Sequence, residues 1–134
     1  MLDIVKHITI GDKEYPIAYT LNVMEAIQEK FGTIEAWGNA LQPEPYENED
    51  GKVVKPEPKI KDLKWTFTQF INEGIDIENE EKGEKRPFVT EKQVGRLISA
   101  IGMDKVNEKL MQVTVESTNT GDTDTGETDE EKNE

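Results

Sequence analysis

The chain has 134 residues and a formal net charge of -13, from 29 acidic and 16 basic side chains, with no cysteine and one histidine. The lack of cysteine excludes a disulfide framework and cysteine-ligated metal sites, and the single histidine excludes a multi-histidine metal site. The acidity argues against a nucleic-acid partner, because such proteins need basic surface to neutralise phosphates. No apolar run approaches the roughly 20 residues that span a bilayer, and the N-terminal residues lack the layout of a signal peptide. We therefore expect a cytoplasmic protein with no membrane partner.

Two polar segments contribute little to any core. Residues 117–134 contain seven acidic side chains, one basic side chain and no apolar one. Because nothing there offsets the entropy lost on ordering, we predict a disordered acidic tail. Residues 43–59 contain four of the six prolines, which lack a backbone donor, so we predict a mobile loop or an appended arm. Residues 1–116 are then predicted to form one domain.

The first predicted element is a β-hairpin. Apolar residues alternate with period two in Ile8–Ile10 and again in Tyr15–Tyr19, which is typical of half-buried strands. Gly11 and Asp12 lie between them, and glycine readily adopts the positive φ of a tight hairpin turn. Pro16 lies inside the second run and favours an edge position, because proline cannot donate to a sheet.

About five short helices are predicted after the hairpin, from apolar residues spaced three and four apart. The fold class is therefore predicted to be α+β and predominantly helical. The apolar stripes are Leu21, Met24, Ile27 and Phe31; Ile34, Trp37 and Leu41; Ile60, Leu63, Phe67, Phe70, Ile71 and Gly74; Val94, Leu97, Ile98 and Ile101; and Val106, Leu110 and Val113.

Helix boundaries are predicted from capping residues, whose side chains satisfy the free backbone N–H groups of a first turn. Gly32 and Gly102 are predicted to end two of the helices. The charged residues 78–86 are predicted to form a solvated linker. The predicted caps are Asn22 with Glu25, Thr33, Thr90 with Gln93, and Asp104.

The sequence contains no constellation typical of catalysis. No glycine-rich phosphate loop is present, and His7 has no partner that the sequence reveals. Asp122 and Asp124 resemble the start of a calcium loop, but Gly126 and Asn133 stand where that loop needs Asp/Asn and Glu. We therefore predict no enzyme activity, no cofactor and no metal site.

Binding surfaces are the remaining candidates. Since helical residues turn by about 100° each, Trp65 lies about 160° from Phe67, on the face that carries Thr68 and Asn72. Met111 lies about 140° from Val106 on its own helix. Either side chain can be a core contact or an anchor for a partner. The candidate partner contacts are Trp37, Trp65, Phe70 and Met111. Each of the four can equally be a core residue.

Three stretches of the chain resemble a known family. They are TIGDKEYPIAYTLNVMEAIQEKFGTIEAW (residues 9–37), LKWTFTQFINEGIDIENE (residues 63–80) and RPFVTEKQVGRLISAIG (residues 86–102). Together they are similar to the tail assembly chaperones of siphophages and prophages of Gram-positive bacteria. The resemblance implies a non-catalytic protein that holds the long tape-measure protein, keeps it soluble and helps recruit tail-tube subunits in the host cytoplasm.

Two other classes of function remain open at the level of sequence. One is a structural component of the virion, such as a tail-completion or head–tail connector protein. The other is a small regulatory interaction protein. Particle composition distinguishes the first of these from a chaperone, which is expected to be absent from the finished virion.

Overall fold

The computed structural model describes residues 4–125 and has the predicted α+β, predominantly helical fold. Within this range an antiparallel hairpin precedes five helices, and a second, very short hairpin lies between the second and third helix. The elements are β1 (Val5–Ile10), β2 (Lys13–Ala18), α1 (Leu21–Phe31), α2 (Ile34–Leu41), β3 (Tyr46–Glu47), β4 (Val53–Val54), α3 (Ile60–Lys82), α4 (Glu91–Ile101) and α5 (Met103–Thr125).

The N-terminal hairpin has the predicted strands and turn. Among the described residues, strand β1 pairs only with β2, in a register that runs from Val5 opposite Ala18 to Ile10 opposite Lys13. Gly11 supplies the turn with a φ of 66°. Pro16 therefore lies on an edge strand, as predicted.

Helix α3 is the central element, and β2 crosses it in close contact at Gly74. A Cβ atom added at Gly74 would lie 2.6 Å from the carbonyl carbon of Pro16 and 2.8 Å from the nitrogen of Ile17. Both neighbours are backbone atoms, which cannot rotate away as a side chain can. Glycine is thus needed here for the approach of the strand, and not for a positive φ.

The core is built around α3 and includes a cluster of aromatic rings. The ring of Trp37 stacks on Tyr19 with centroids 5.9 Å apart and on Phe70 at 6.3 Å. The indole N–H of Trp37 donates to the Thr66 hydroxyl at 3.1 Å, which satisfies a buried donor. Burial also raises the pKa of the Tyr19 hydroxyl, because the charged phenolate is poorly solvated there.

The predicted capping box at Asn22 and Glu25 is wrong. Helix α1 is capped two residues earlier, where the Thr20 hydroxyl accepts from the Val23 N–H. The buried face also differs from the predicted stripe, since Val23 and Ile27 are buried while Leu21 is 79% exposed.

The other predicted helix starts are mostly confirmed. Thr33 caps α2, and Thr90 with Gln93 forms a capping box at α4 in which both hydrogen bonds are present. Helix α5 begins at Met103, so Asp104 lies inside its first turn and is not its cap. An acidic side chain in a first turn still interacts favourably with the helix dipole.

The predicted linker over residues 78–86 is half helical. Helix α3 continues through Lys82 and ends at Gly83, which has the left-handed φ of 65°. Glu78 explains part of the continuation, because it lies 3.5 Å from the Lys82 ammonium one turn later and 2.7 Å from His7 Nε2 on β1. His7 therefore has a partner that lies far away in the sequence.

The two polar segments contain regular structure as well. Within residues 43–59, β3 and β4 pair, and the Asn48 side chain accepts from the N–H groups of Asp50 and Lys52 in the turn. Helix α5 continues through Thr125, into the segment where we predict disorder from residue 117. The rest of that predicted tail, residues 126–134, lies outside the described residues. In the part of the chain from residue 4 to 125, no helix has both the length and the apolar character needed to cross a bilayer.

Candidate functional site

Two asparagines on α3 hold the segment between α3 and α4 in place. The Asn72 side chain donates to the Val89 carbonyl at 3.0 Å and accepts from the Val89 N–H at 2.8 Å. The Asn79 side chain makes the same pair of bonds with Arg86, at 2.9 and 3.0 Å. Asparagines seven residues apart are two helical turns apart on one face, so the segment 86–89 is fixed at both ends along α3.

Phe88 is presented to solvent by this arrangement. Its side chain is 57% exposed, although it lies between two positions that are tightly bonded to α3. The next residue, Val89, packs against the core and precedes the Thr90 cap, the position of a hydrophobic staple to Val94. Because Val89 faces inward along an extended segment, Phe88 faces the other way.

An acidic groove lies on one side of Phe88, between α1 and α3. It consists of two adjoining depressions of about 200 and 370 Å³ that share Asn22, Glu73 and Asp76. We call it the α1/α3 groove; its rim and walls include Leu21, Asn22, Glu73, Asp76, Glu80 and Phe88. Its α3 wall runs from Gln69 to Glu80, about 16 Å at about 1.5 Å per residue.

The walls of the α1/α3 groove are joined by hydrogen bonds. Glu73 accepts from the Thr20 hydroxyl and, at 3.2 Å, from the Asn22 side chain. Glu73 is thereby held against the start of α1, while Asp76 is exposed. At the other end of the same pair of helices, Phe31 of α1 packs edge-on against Trp65 of α3 with ring centroids 5.8 Å apart. The two helices are therefore antiparallel.

A basic cleft lies on the opposite side of Phe88. It has a volume of about 400 Å³, and its lining combines apolar residues with Lys13, Arg86 and Arg96. The Arg86 guanidinium lies 5.2 Å from the centroid of the Tyr15 ring and donates to the Glu14 carbonyl at 3.2 Å. No carboxylate lines this cleft within residues 4–125.

A third depression, of about 300 Å³, lies between the start of α3 and the end of α4. Its lining is mostly apolar and includes Ile60, Ile98 and Met103. Ile60 is 62% exposed, which is the main departure from the predicted stripe of α3. This depression is a weaker candidate for a specific site, because few polar groups in it would orient a ligand.

Two of the four predicted contact residues lie in the core. Trp37 is 2% exposed and Phe70 is fully buried, and their rings are in contact. Neither can touch a partner in this conformation. Of the two interpretations that the sequence left open for them, the structure therefore favours the core.

Trp65 and Met111 are partly buried and pack against the core. The Trp65 ring also lies under the Lys30 ammonium, 5.4 Å from the ring centroid. Trp65 is four residues before Gln69, so it extends the α3 face that lines the α1/α3 groove. Met111 lies on α5, whose residues do not line the groove. Thus the structure brings only Trp65 near this site.

Leu21, Phe88 and the acidic residues of the groove are not among the contact residues predicted from the sequence. Leu21 falls on the predicted buried stripe because it stands three residues before Met24, but the structure exposes it at the start of α1. Phe88 was not singled out at all. One signal was available for it, since a residue two positions before a capping threonine lies outside the helix and outside the staple.

Comparison of the chain with protein-family models, with curated proteins and with solved structures finds no match. Among residues 4–125, no group of three or more acidic or histidine side chains is positioned to hold a metal ion. The geometry and chemistry of the surface are therefore the basis for any assignment of function.

Proposed function

We propose that this chain is a phage tail assembly chaperone that binds an amphipathic segment of the tape-measure protein in the α1/α3 groove. One observation carries the proposal. The three stretches that resemble the family are separate in sequence, yet each contributes to this one groove: Leu21 from residues 9–37, Glu73 and Asp76 from residues 63–80, and Phe88 from residues 86–102.

The chemistry of the groove suits an amphipathic helix. Exposed Leu21 and Phe88 offer apolar contacts, and the carboxylates between them offer partners for lysine and arginine. The α3 wall is about 16 Å long, which matches about three turns of a bound helix. Helix-in-groove binding uses apolar anchors spaced along such a length.

The same proposal includes the other expectations from the resemblance. The chain holds the tape-measure protein in the cytoplasm of the bacterial host, keeps its apolar stripes from aggregating and assists the recruitment of tail-tube subunits. A binding role needs no chemical step, so no residue is assigned to catalysis.

Co-expression tests this function with a matched control. The tape-measure fragment is expected to be soluble and to co-purify with the wild-type chain, and to become insoluble with Leu21→Asp or Phe88→Asp. Val53→Asp is the control, because Val53 is also 70% exposed but lies on β4, outside the groove. A fragment that stays insoluble and unbound with the wild-type chain would contradict the proposal.

Particle composition separates the chaperone from the structural alternative. Mass spectrometry of purified virions should find the tape-measure and tail-tube proteins but not this chain. A stoichiometric amount of the chain in finished particles would favour a structural virion component instead.

A further inference from the structure

The basic cleft has a charge opposite to that of the whole chain. The chain carries a net charge of -13, yet Lys13, Arg86 and Arg96 line the cleft and no carboxylate does so within residues 4–125. The three cations come from β2, from the segment that precedes α4 and from α4 itself. Like charges gathered at one place repel one another, so an anionic ligand is favoured there.

One of the three cations is held in position before any ligand binds. The Asn79 side chain bonds to both backbone groups of Arg86. The Arg86 guanidinium lies over the Tyr15 ring and donates to the Glu14 carbonyl, which is an uncharged acceptor. An acidic ligand can therefore bind Arg86 without breaking an ion pair at that contact. Because the side chain is already ordered, binding also costs less entropy.

The rest of the lining is largely apolar. Pro87, Phe88 and Leu97 lie beside the cations, and Phe88 is 57% exposed. A small inorganic anion would leave these side chains in water, whereas a ligand that also carries an apolar group would cover them. The cleft volume of about 400 Å³ lies within the range of about 300–1,000 Å³ that is typical of ligand sites. The lining thus suits a ligand that combines negative charge with an apolar group.

A short protein segment fits this cleft better than a long polyanion does. Nucleic acid and anionic membranes extend beyond the cleft, where the net charge of -13 repels them. A short acidic segment contacts the cleft alone and avoids most of that repulsion. In an extended peptide, alternate side chains face the same side. Two carboxylates and an apolar side chain between them, at every second position, can therefore face the lining together.

We propose that the basic cleft binds a short, extended, acidic segment of another protein, with an apolar side chain between two carboxylates. The carboxylates pair with the cations of the cleft, and the apolar side chain packs against Phe88. This inference goes beyond the proposed function and does not depend on which partner the α1/α3 groove binds. It gives the chain a second binding site with the opposite charge preference.

Titration of the full chain with a synthetic peptide tests the proposal by nuclear magnetic resonance. The probe is the peptide Glu-Ser-Leu-Ser-Glu, blocked at both ends, in about 0.01 M salt. Backbone amides of Val89, Gln93 and Leu97 are expected to shift, while those of Asn22 and Glu73 in the α1/α3 groove do not.

Three other probes show which groups of the peptide bind. Replacing both glutamates by glutamine should weaken binding about tenfold or more, and replacing the leucine by serine about fivefold. Inorganic phosphate should bind more weakly than the probe peptide. Equal affinity of the serine peptide or of phosphate would overturn the proposal, because the cleft would then be a general anion site. Shifts confined to the α1/α3 groove would also overturn it.

A matched pair of double variants tests the cations themselves. Lys13→Gln with Arg96→Gln removes two exposed cations of the cleft and should weaken binding of the probe peptide about tenfold in about 0.01 M salt. The difference should disappear near 1 M salt, where the Debye length is about 3 Å. Lys92→Gln with Lys105→Gln makes the same change of net charge at exposed positions outside the cleft and should leave the affinity nearly unchanged. Equal weakening by both double variants would overturn the proposal, since overall charge would then account for the binding.

Discussion

The surfaces on the two sides of Phe88 differ in charge although they share this residue. On one side, the α1/α3 groove presents Glu73, Asp76 and Glu80. On the other side, the basic cleft presents Lys13, Arg86 and Arg96. Phe88 lines both. One exposed aromatic side chain thus separates an acidic surface from a basic one.

This difference shows that the net charge of the chain does not describe its binding surfaces. Acidity of the whole chain predicts attraction of basic partners in general. The fold, by contrast, brings a groove with carboxylates and a cleft with cations to the same residue, Phe88. The carboxylates on one side suit basic ligands and the cations on the other suit acidic ones, so the two sites need not compete for the same ligand.

The largest effect is expected where β2 packs against α3, because these two elements carry residues of both the α1/α3 groove and the basic cleft. Gly74→Ala should lower the free energy of unfolding by about 3 kcal/mol, because the added methyl group overlaps the backbone of β2 and nothing flexible can yield. The strand carries Lys13 and Tyr15, and α3 carries the acidic wall, so both sites should weaken together. Chemical denaturation measures the change.

Gly38→Ala is the matched control for Gly74→Ala. Gly38 lies in α2, and no atom stands within 4 Å of an added Cβ. Alanine should therefore raise stability there by about 0.4–1 kcal/mol. Equal destabilisation by both substitutions would show that the close approach of β2 to α3 is not the cause.

The second largest effect concerns the hydrogen bonds by which the Asn72 and Asn79 side chains hold the 86–89 segment. Asn72→Ala and Asn79→Ala should each cost about 1–2 kcal/mol, since each leaves backbone groups of the 86–89 segment without a partner. Their effects on binding should differ. Asn72 lines the α1/α3 groove, so its loss should weaken groove binding more, whereas loss of Asn79 should release Arg86 and weaken the basic cleft. Identical effects on the two sites would contradict this division.

The hydrogen bonds of Asn72 and Asn79 to the 86–89 segment show where prediction from sequence reached its limit. Period-two and helical spacing gave the hairpin, all five helices and the Thr90 cap, because these depend on residues close together in the chain. Asn72 and Val89 are 17 residues apart, and no local pattern reveals that their polar groups meet. The exposure of Leu21 also became visible only once the neighbouring elements were placed.

The predicted site residues illustrate the same limit. An indole is equally favourable in a core and at an interface, so spacing alone could not separate Trp37 from Trp65. The decisive difference lies in the tertiary contacts. Inside the core, Trp37 donates to the Thr66 hydroxyl and contacts two aromatic rings. Trp65 lies at the edge of the core, beside Phe31 and Lys30.

A smaller effect is expected from removing the ring that separates the two sites. Phe88→Ala should change stability by less than about 0.5 kcal/mol because the side chain is exposed. It should weaken binding of the tape-measure fragment about tenfold, or about 1.4 kcal/mol, as expected for an aromatic anchor. Isothermal titration calorimetry measures the affinity. Val53→Ala, on the second hairpin, should leave it unchanged.

The smallest effect is expected from a single charge on the acidic side. Asp76→Lys should weaken binding of a basic tape-measure segment by about 0.2–1 kcal/mol at low salt, and the difference should disappear near 1 M salt. The exposed Glu108 of α5 is the control for charge, since Glu108→Lys makes the same change elsewhere. Equal losses of affinity would mean that overall charge, and not the groove, attracts the partner.

Mapping the bound tape-measure fragment on the full chain tests the central claim most directly. We predict that backbone amide resonances of Leu21, Asn22, Glu73 and Phe88 shift on titration, while those of Ile60, Ile98 and Met103 around the third depression do not. The opposite pattern, with shifts at the third depression and none along the α1/α3 groove, would contradict the account.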